Sequence, residues 1–315
     1  MQAVILAGGM GTRLRPLTMT RPKVLLPVCN RAIMGRQIDA VAGLVEEVIV
    51  AAGYRGEYIE KWAAEVKPGS PEVTVVRERE PLGTGGALVN IWDRLDEEFL
   101  AMNGDIVTDM DFAKLLGKSG MHSTIVAVEV EDTSRYGNMS LDGDMVVNFS
   151  EKRRSAGPGI VNSALYLLKR SDLDLLPPGR SSLERELFPV LARRGVLAAH
   201  MMPGEDYWLD VGTPASYLAA NLDCAEREPM ARIGANAKIE GRIDGSSCIG
   251  RSCAVSRGCT VEGSLLLDGV ELEEDVEVRG SIIGTDSKVG AGSRLISTVL
   301  GDRTLLPPGS RSQSG

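Results

Sequence analysis

The sequence predicts an α/β protein, with a three-layer domain built on a mixed, mostly parallel sheet over residues 1–228 and a prism-like parallel β-helix over residues 229–315. Three observations carry this expectation. Short apolar runs alternate with helical patterns through the first part of the chain. The first of those runs feeds a glycine-rich turn. Beyond residue 228 the long helical patterns stop and apolar residues recur six apart.

Ala3 to Leu6 is a buried-strand pattern that ends in Ala7-Gly8-Gly9-Met10-Gly11-Thr12-Arg13. Further β-rich runs lie at Glu47 to Ala52, Val73 to Val76, Phe99 to Met102, Ser123 to Val130 and Ala164 to Leu168. Helical patterns at Met34 to Gly43, Tyr58 to Glu65 and Gly86 to Leu95 separate the earlier strands, so ligands are expected at the carboxyl ends of the strands. In the second part the apolar series runs Ile233, Ile239; then Ile249, Val255, Val261, Leu267; then Val270, Val276, Ile282; then Ile283, Val289, Leu295. One small aliphatic side chain turned inward every six residues lets a chain wind into a prism, and the number of repeats outweighs an ordinary β-rich tail. Ser310 to Gly315 reads as a frayed end.

Composition narrows the function. The chain has 35 Lys plus Arg against 43 Asp plus Glu, a formal net charge of −8, which argues against nucleic acid as the main partner. The apolar stretches fall short of the roughly 18 to 20 residues of a bilayer span, and the first residues lack the basic start of a signal peptide, so no membrane partner and a cytoplasmic location are expected. Five cysteines without a CxxC pair are expected to be reduced and structural. The two histidines, His122 and His200, stand outside any HExxH or nucleophile-elbow context, which makes histidine-based hydrolysis a poor reading. Both precede the hexad region, which therefore has no histidine base for an acyltransferase.

The chemistry concentrates in Leu6-Ala7-Gly8-Gly9-Met10-Gly11-Thr12-Arg13-Leu14-Arg15-Pro16-Leu17-Thr18 and the following Arg21-Pro22-Lys23-Val24-Leu25-Leu26-Pro27-Val28. Glycines let backbone N–H groups approach phosphate, and Arg13 and Lys23 add fixed positive charge. The GxxxxGK[ST] spacing is missing, and so is the third glycine of a dinucleotide fingerprint. Asp105, just after the apolar run Phe99 to Met102, sits where a doubly wound sheet places ligand groups, and a carboxylate suits magnesium.

This stretch resembles the signature of the sugar-1-phosphate nucleotidyltransferases, GGxGxRLxPLTxxxPKxLxPV. The resemblance continues, in family order, through Glu80-Pro81-Leu82-Gly83-Thr84-Gly85-Gly86-Ala87, Asn103-Gly104-Asp105, Arg135-Tyr136-Gly137, Phe149-Ser150-Glu151-Lys152, Val161-Asn162-Ser163-Ala164-Leu165-Tyr166 and Tyr207-Trp208-Leu209-Asp210-Val211-Gly212-Thr213. It implies a Rossmann-like catalytic domain, a left-handed β-helix for the hexad region, and attack of a sugar 1-phosphate on the α-phosphorus of a nucleoside triphosphate with release of pyrophosphate. Two polyanions must then meet, so the work is positioning and charge neutralisation, with no protein nucleophile.

The roles this implies are as follows. Leu6, Ala7, Gly8, Gly9, Gly11 and Thr12 cradle the nucleotide, while Glu80, Leu82, Gly83 and Asn103 face its base and ribose. Arg13 and Lys23 hold the α-phosphate and the departing pyrophosphate. Asp105 and Asp210 ligate Mg2+, which bridges phosphates as Lewis acid and template. Lys152 grips the sugar phosphate, Glu151, Asn162 and the Gly137 backbone meet ring hydroxyls, and Trp208 walls the sugar.

Leu82-Gly83-Thr84-Gly85-Gly86 and Ser182-Leu183-Glu184-Arg185-Glu186-Leu187-Phe188-Pro189 resemble the mannose-1-phosphate guanylyltransferase (GDP-mannose pyrophosphorylase) branch, so GTP is the preferred donor and a mannose 1-phosphate-like sugar the preferred acceptor. The chain departs from the family at Val24, where proline is usual, and at Asn30-Arg31-Ala32-Ile33-Met34. These departures keep a heptose or cyclitol 1-phosphate such as valienol 1-phosphate open as acceptor, beside dTTP, UTP or ATP with glucose 1-phosphate. A non-catalytic nucleotide-sugar-binding homologue is the alternative of another class; Lys23, Asp105, Lys152 and Asp210 are all present and weigh against it. The hexad region is expected to support a homo-oligomer.

Overall fold

Ala3, Val4 and Ile5 are consecutive and all fully buried, so the first strand is covered on both faces, as a central parallel strand must be. In the computed structural model, which describes residues 1–65, 71–120, 122–134, 136–150 and 157–313, this strand lies third in a nine-stranded sheet. The elements in order are β1 (Gln2–Ala7), β2 (Pro27–Val28), β3 (Arg31–Ala32), α1 (Ile33–Val41), β4 (Glu47–Ala52), α2 (Gly56–Glu65), β5 (Glu72–Arg77), α3 (Gly83–Val89), β6 (Glu98–Asn103) and β7 (Ile106–Thr108). They continue with α4 (Phe112–Leu116), β8 (Ser123–Val130), β9 (Asn138–Asp142), β10 (Met145–Ser150), β11 (Gly159–Lys169), α5 (Phe188–Arg193), β12 (Leu197–Met201), β13 (Trp208–Asp210) and α6 (Pro214–Arg227), followed by short strands only.

The chain divides into two compact units, Met1–Met10 with Arg36–Asp210, and Gly11–Gly35 with Val211–Gly315. The first unit holds the large sheet, in the order β5-β4-β1-β6-β11-β8-β12-β10-β9. The strands β5, β4, β1 and β6 run parallel, and β8 and β12 form one further parallel pair. Beyond β6 the other pairings are antiparallel, including β6 with β11 and β11 with β8, so the parallel character belongs to one half of a mixed sheet. A core including Val4, Phe99, Ile125 and Tyr166 from the sheet packs with Leu88, Leu183, Leu187, Phe188 and Leu191 from the segments around α3 and α5.

In the second unit, residues 238–313 form three sheets of short parallel strands, each sheet taking every third strand in turn. The arrangement is compatible with a β-helix, with the inward series Ile249, Val255, Val261, Leu266, Leu272, Val278, Ile283, Val289 and Leu295 forming its core. The sequence pattern of strict sixes is refined: most paired strands are 17 residues apart, as Leu265 is from Ile282 and Glu277 from Arg294, so one side of each coil has five residues. Ladders of buried hydroxyls run along these strands. Ser264 N donates to Ser247 Oγ at 3.0 Å, Ser281 N to Ser264 Oγ at 3.1 Å, and Thr298 N to Ser281 Oγ at 3.0 Å. The Thr304 and Ser310 N–H groups donate to Ser287 and Ser293 Oγ in the same way. The expected frayed end is also corrected: Arg311–Gln313 is a strand paired with Arg294–Ile296, because the previous coil offers it an open row of backbone partners.

Replacing Ser281, fully buried, with alanine leaves the Thr298 N–H without its acceptor inside the coil. The expected loss is about 1–3 kcal/mol, read as a lower midpoint in equilibrium chemical denaturation.

Candidate functional site

Parallel pairing of β1 with β6 sets Leu6 opposite Asn103, and the Gly104 N–H donates to Leu6 O at 2.9 Å. The glycine turn after β1 and the Asn103-Gly104-Asp105 turn after β6 therefore leave the same edge of the sheet, at the carboxyl ends of its parallel strands. The turn after β4 joins them. A Cβ on Gly53 would stand 2.7 Å from Gly8 O, so only glycine permits that approach. Glu78, following β5, lies against Gly8, and its carboxylate accepts the Leu82 N–H at 3.3 Å. Leu6, Ala7, Gly8, Gly9, Leu82, Gly83 and Asn103 thus gather at one edge, with Glu80 exposed in the loop between Glu78 and Leu82.

The 82–86 segment is held by the chain that precedes α5. Gly83 has φ +74°, and a Cβ there would meet Ser181 O at 2.4 Å. The Gly85 and Gly86 N–H groups both donate to Ser181 O, while Ser181 N donates to Leu82 O. Residues Leu183–Leu187 form a single π-helical turn. Within it Glu184 accepts from Thr84 Oγ1 at 2.7 Å, Ser182 Oγ at 2.7 Å and Tyr166 OH at 3.4 Å.

The antiparallel pair β7 and β13 places Asp210 opposite Ile106, one residue from Asp105, so a register joins two aspartates far apart in sequence. Among the described residues no group of three or more His, Cys, Asp or Glu could hold a metal ion. Two carboxylates fit magnesium nonetheless, since that ion keeps waters and takes substrate phosphate oxygens beside one or two carboxylates. The backbone carbonyls that bracket the turn, Asn103 O and Ile106 O, both accept from Gln37 Nε2, at 2.8 and 3.0 Å. Asn103 Oδ1 and Gln37 Oε1 are buried with no hydrogen-bond partner among the described residues.

Three more residues of the expected set, Gly137, Asn162 and Trp208, lie close together. The Asn162 N–H donates to Gly137 O at 3.1 Å, and Trp208 Nε1 donates to Ser163 O at 2.8 Å. The Trp208 ring lies 5.4 Å from that of Tyr136, tilted by 59°. Asn162 begins a bulge in β11, in which Ala164 takes φ +63° and its N–H donates to Asn162 Oδ1 at 2.8 Å. Asn162 Nδ2 donates to Tyr166 OH at 3.0 Å. Burial pushes the Tyr166 hydroxyl well above its ordinary range, which keeps it a proton donor. Glu151 and Lys152 lie outside the described residues; β10 ends at Ser150, paired with Asn138 beside Gly137.

Gly11, Thr12, Arg13 and Lys23 belong to the second unit. Gly11 has φ +60°, and a Cβ there would stand 3.1 Å from Thr18 Cγ2 and 3.2 Å from Lys23 Cβ, so its bare backbone brings Lys23 to the turn carrying exposed Thr12 and Arg13. Thr18 Oγ1 donates to Gly11 O at 2.8 Å. This loop is anchored on the coil by an Arg21–Asp302 ion pair at 2.8 Å, and the Tyr217 hydroxyl of α6 donates to Pro27 O at 2.7 Å. Asn30, in the stretch that departs from the family pattern, donates through Nδ2 to Ala231 O at 2.8 Å and Ile249 O at 3.1 Å.

Gln37, Glu78 and Glu184 are absent from the set expected from the sequence. The one signal for Gln37 is a polar residue on the buried face of α1; Glu78 follows β5 in a loop and Glu184 sits in the short π-helical turn, both without a periodic pattern.

With fold and site in view, the class is a nucleotide-binding α/β protein with ligand groups at a strand edge. The Nucleotidyl transferase family model matches residues 2–227, and the GMPPB C-terminal domain model matches residues 226–307. The chain is 33% identical over 268 residues to the mannose-1-phosphate guanylyltransferase catalytic subunit beta of Danio rerio, covering 80% of this chain and 74% of that one. It is 34% identical over 270 residues to the mannose-1-phosphate guanyltransferase of Schizosaccharomyces pombe, with the same coverage. The crystal structure of HddC from Yersinia pseudotuberculosis complexed with GMP-PN superposes with a TM-score of 0.59 at 30% identity, covering 70% of this chain and 97% of that one. The chain belongs to the nucleotidyl transferase family, whose members generally use a divalent metal. Among the described residues no helix is long and apolar enough to cross a membrane.

Two outcomes follow from this geometry. Gln37→Leu removes both hydrogen bonds to the Asp105 turn while keeping an apolar side chain of similar length, and should lower kcat/KM for nucleotidyl transfer about 10- to 100-fold in steady-state assays. Burial raises the Glu78 carboxyl above its ordinary pKa. The neutral form is thus the one favoured by folding, and the associated stability is present below the ordinary carboxylate range and lost as pH rises through the raised value. The Tm of Glu78→Gln should gain on the parent's between acidic and neutral pH, as scanning calorimetry would show.

Proposed function

We propose that this chain transfers the guanylyl group of GTP to the 1-phosphate of a mannose-like sugar, releasing pyrophosphate. The observation that carries the reading is the joint placement of the Gly8-Gly9 turn, the Asn103-Gly104-Asp105 turn and Asp210 by two strand registers. Identity of about a third to guanylyltransferases over most of the chain supports guanine and mannose 1-phosphate. The GMP-PN complex of the Yersinia protein supports a guanine nucleotide at this fold.

In this reading Gly8, Gly9, Gly11 and Thr12 offer backbone N–H groups to the triphosphate, and Arg13 and Lys23 neutralise the α-phosphate and the leaving pyrophosphate. Leu6, Ala7, Glu80, Leu82 and Gly83 line the nucleoside. The unpartnered Asn103 Oδ1 is an acceptor for a ribose hydroxyl. Lys152 holds the sugar phosphate for in-line attack, Glu151, Asn162 and Gly137 O orient the sugar hydroxyls, and Trp208 closes one wall. Asp105 and Asp210 hold magnesium, which supplies Lewis-acid polarisation of phosphate oxygens when bound.

The catalytic part is residues 1–228 and the hexad part residues 229–315, a boundary supported by the end of α6 at Arg227 and by the two family matches meeting there. The hexad part is read as a left-handed β-helix, on the inward spacing of its aliphatic residues, and as a homo-oligomerisation surface. All five cysteines are buried and none is in a disulfide, which suits the cytoplasm.

The test is pyrophosphate release with magnesium across five nucleoside triphosphates and a panel of hexose, heptose and cyclitol 1-phosphates. GTP with mannose 1-phosphate is the expected best pair; another dominant nucleotide overturns the guanylyl reading. Asp105→Ala and Asp210→Ala should each lower kcat by about 10²–10³ with the circular dichroism unchanged, and near-normal turnover overturns the metal assignment. Lys152→Ala should raise KM for the sugar 1-phosphate and Lys23→Ala that for GTP. Sedimentation showing a monomer at working concentration overturns the oligomer.

A further inference from the structure

Glu184 is where two parts of the site converge. One oxygen, Oε2, accepts from Thr84 Oγ1 in the base loop and from Ser182 Oγ, each at 2.7 Å. The other, Oε1, accepts from Tyr166 OH at 3.4 Å, and that hydroxyl in turn accepts from Asn162 Nδ2 at 3.0 Å. In these bonds both Glu184 oxygens are acceptors, so all three hydroxyls aim their protons at it. That sense propagates outward on both sides. Thr84 Oγ1, having given its proton to Glu184, accepts the Leu183 N–H at 3.0 Å and ties the base loop to the π-helical turn. Tyr166 OH must be met by an N–H, so Asn162 turns its Nδ2 inward and its Oδ1 to the Ala164 N–H at the bulge.

We propose that Glu184 is a positioning residue that holds the base loop through Thr84 and sets the amide orientation of Asn162 through Tyr166, so that one carboxylate orders both the donor and the acceptor side of the site. This rests on the reading that Gly83 lies at the base and Asn162 at the sugar. The geometry around the link fits a held loop. Gly83 and Gly86 pack so closely on Ser181 O and Gly179 O that the loop tolerates no side chains there, and the 179–184 segment is its template. Tyr166 is fully buried, which shields its hydroxyl bonds from bulk solvent.

Three variants of the full chain test it, with magnesium, GTP and the best sugar 1-phosphate. Tyr166→Phe keeps the ring and removes only the hydroxyl; KM for the sugar 1-phosphate should rise about tenfold while KM for GTP stays within about twofold. Thr84→Val should show the opposite split. Glu184→Gln, which brings an NH2 to a place where three donors converge, should raise both. Hydrogen exchange supplies a readout independent of turnover: Glu184→Gln should speed amide exchange in both 82–86 and 160–166, and Tyr166→Phe in 160–166 alone. Unchanged KM for the sugar in Tyr166→Phe, or faster exchange in only one segment of Glu184→Gln, overturns the proposal. Parent protein inactive on every substrate pair overturns the guanylyl-transfer reading instead, and the exchange pattern still decides whether Glu184 links the two segments.

Discussion

The parallel pairing of β1 with β6 is the constraint on which the rest of the first unit depends. Leu6 opposite Asn103, and the Gly104 N–H on Leu6 O, decide that a backbone-rich turn and a carboxylate-bearing turn leave the sheet side by side. Three further strands each add a group to that edge. β4 brings Gly53 against Gly8, β5 brings Glu78, and β13 brings Asp210 beside the Asp105 turn through its pairing with β7. A reaction between two polyanions needs such an arrangement of donors and carboxylates more than it needs a reactive side chain.

Close approach and buried polarity are two sides of the same arrangement. Where backbone must reach backbone, as at Gly53, Gly83 and Gly86, side chains are absent, and the contacts leave less than 3 Å for a Cβ. Where a turn must keep its shape, a polar side chain holds it: buried Gln37 on the Asp105 turn, half-buried Glu184 on the 82–86 segment. The two bonds from Gln37 Nε2 fix the turn away from bulk water, while its Oε1 has no partner among the described residues. In the second unit the same logic appears as hydroxyl ladders, Ser247, Ser264 and Ser281 accepting the N–H groups of Ser264, Ser281 and Thr298, and Ser287 and Ser293 those of Thr304 and Ser310. The Arg13 and Lys23 loop is anchored on that coil through Arg21 and Asp302, so the repeat region also shapes the charged loop.

Much of the fold was legible because its signals are local. The parallel strands β1, β4, β5 and β6 each carry an apolar run ending near a turn, and the aliphatic spacing announced the short parallel strands of the second unit. The strands β9, β10 and β12 escaped, since Asn138–Asp142 and Met145–Ser150 are half polar, and their place depends on antiparallel partners formed later in the chain. The period of 17 escaped because a missing residue on one side resets the sixfold pattern without an obvious mark. Of the site, the glycine turn, Asp105 and the motif around Trp208 could be read directly, while Glu151 and Lys152 fall outside the described residues.

By itself the sequence determined the alternation of strands and helices, the bare backbone of the glycine turn with its Arg13 and Lys23, and the repeat behind the short parallel strands of the second unit. Each follows from spacing within a few residues, where side-chain size and charge act directly. Only the tertiary structure decided that Asp210 sits opposite Ile106, that Gln37 spans the Asp105 turn 66 residues away, and that Glu184 reaches Thr84 across 100 residues. Those pairings are set by strand register and by the shape of the packed core, and neither is encoded in any one segment of the chain.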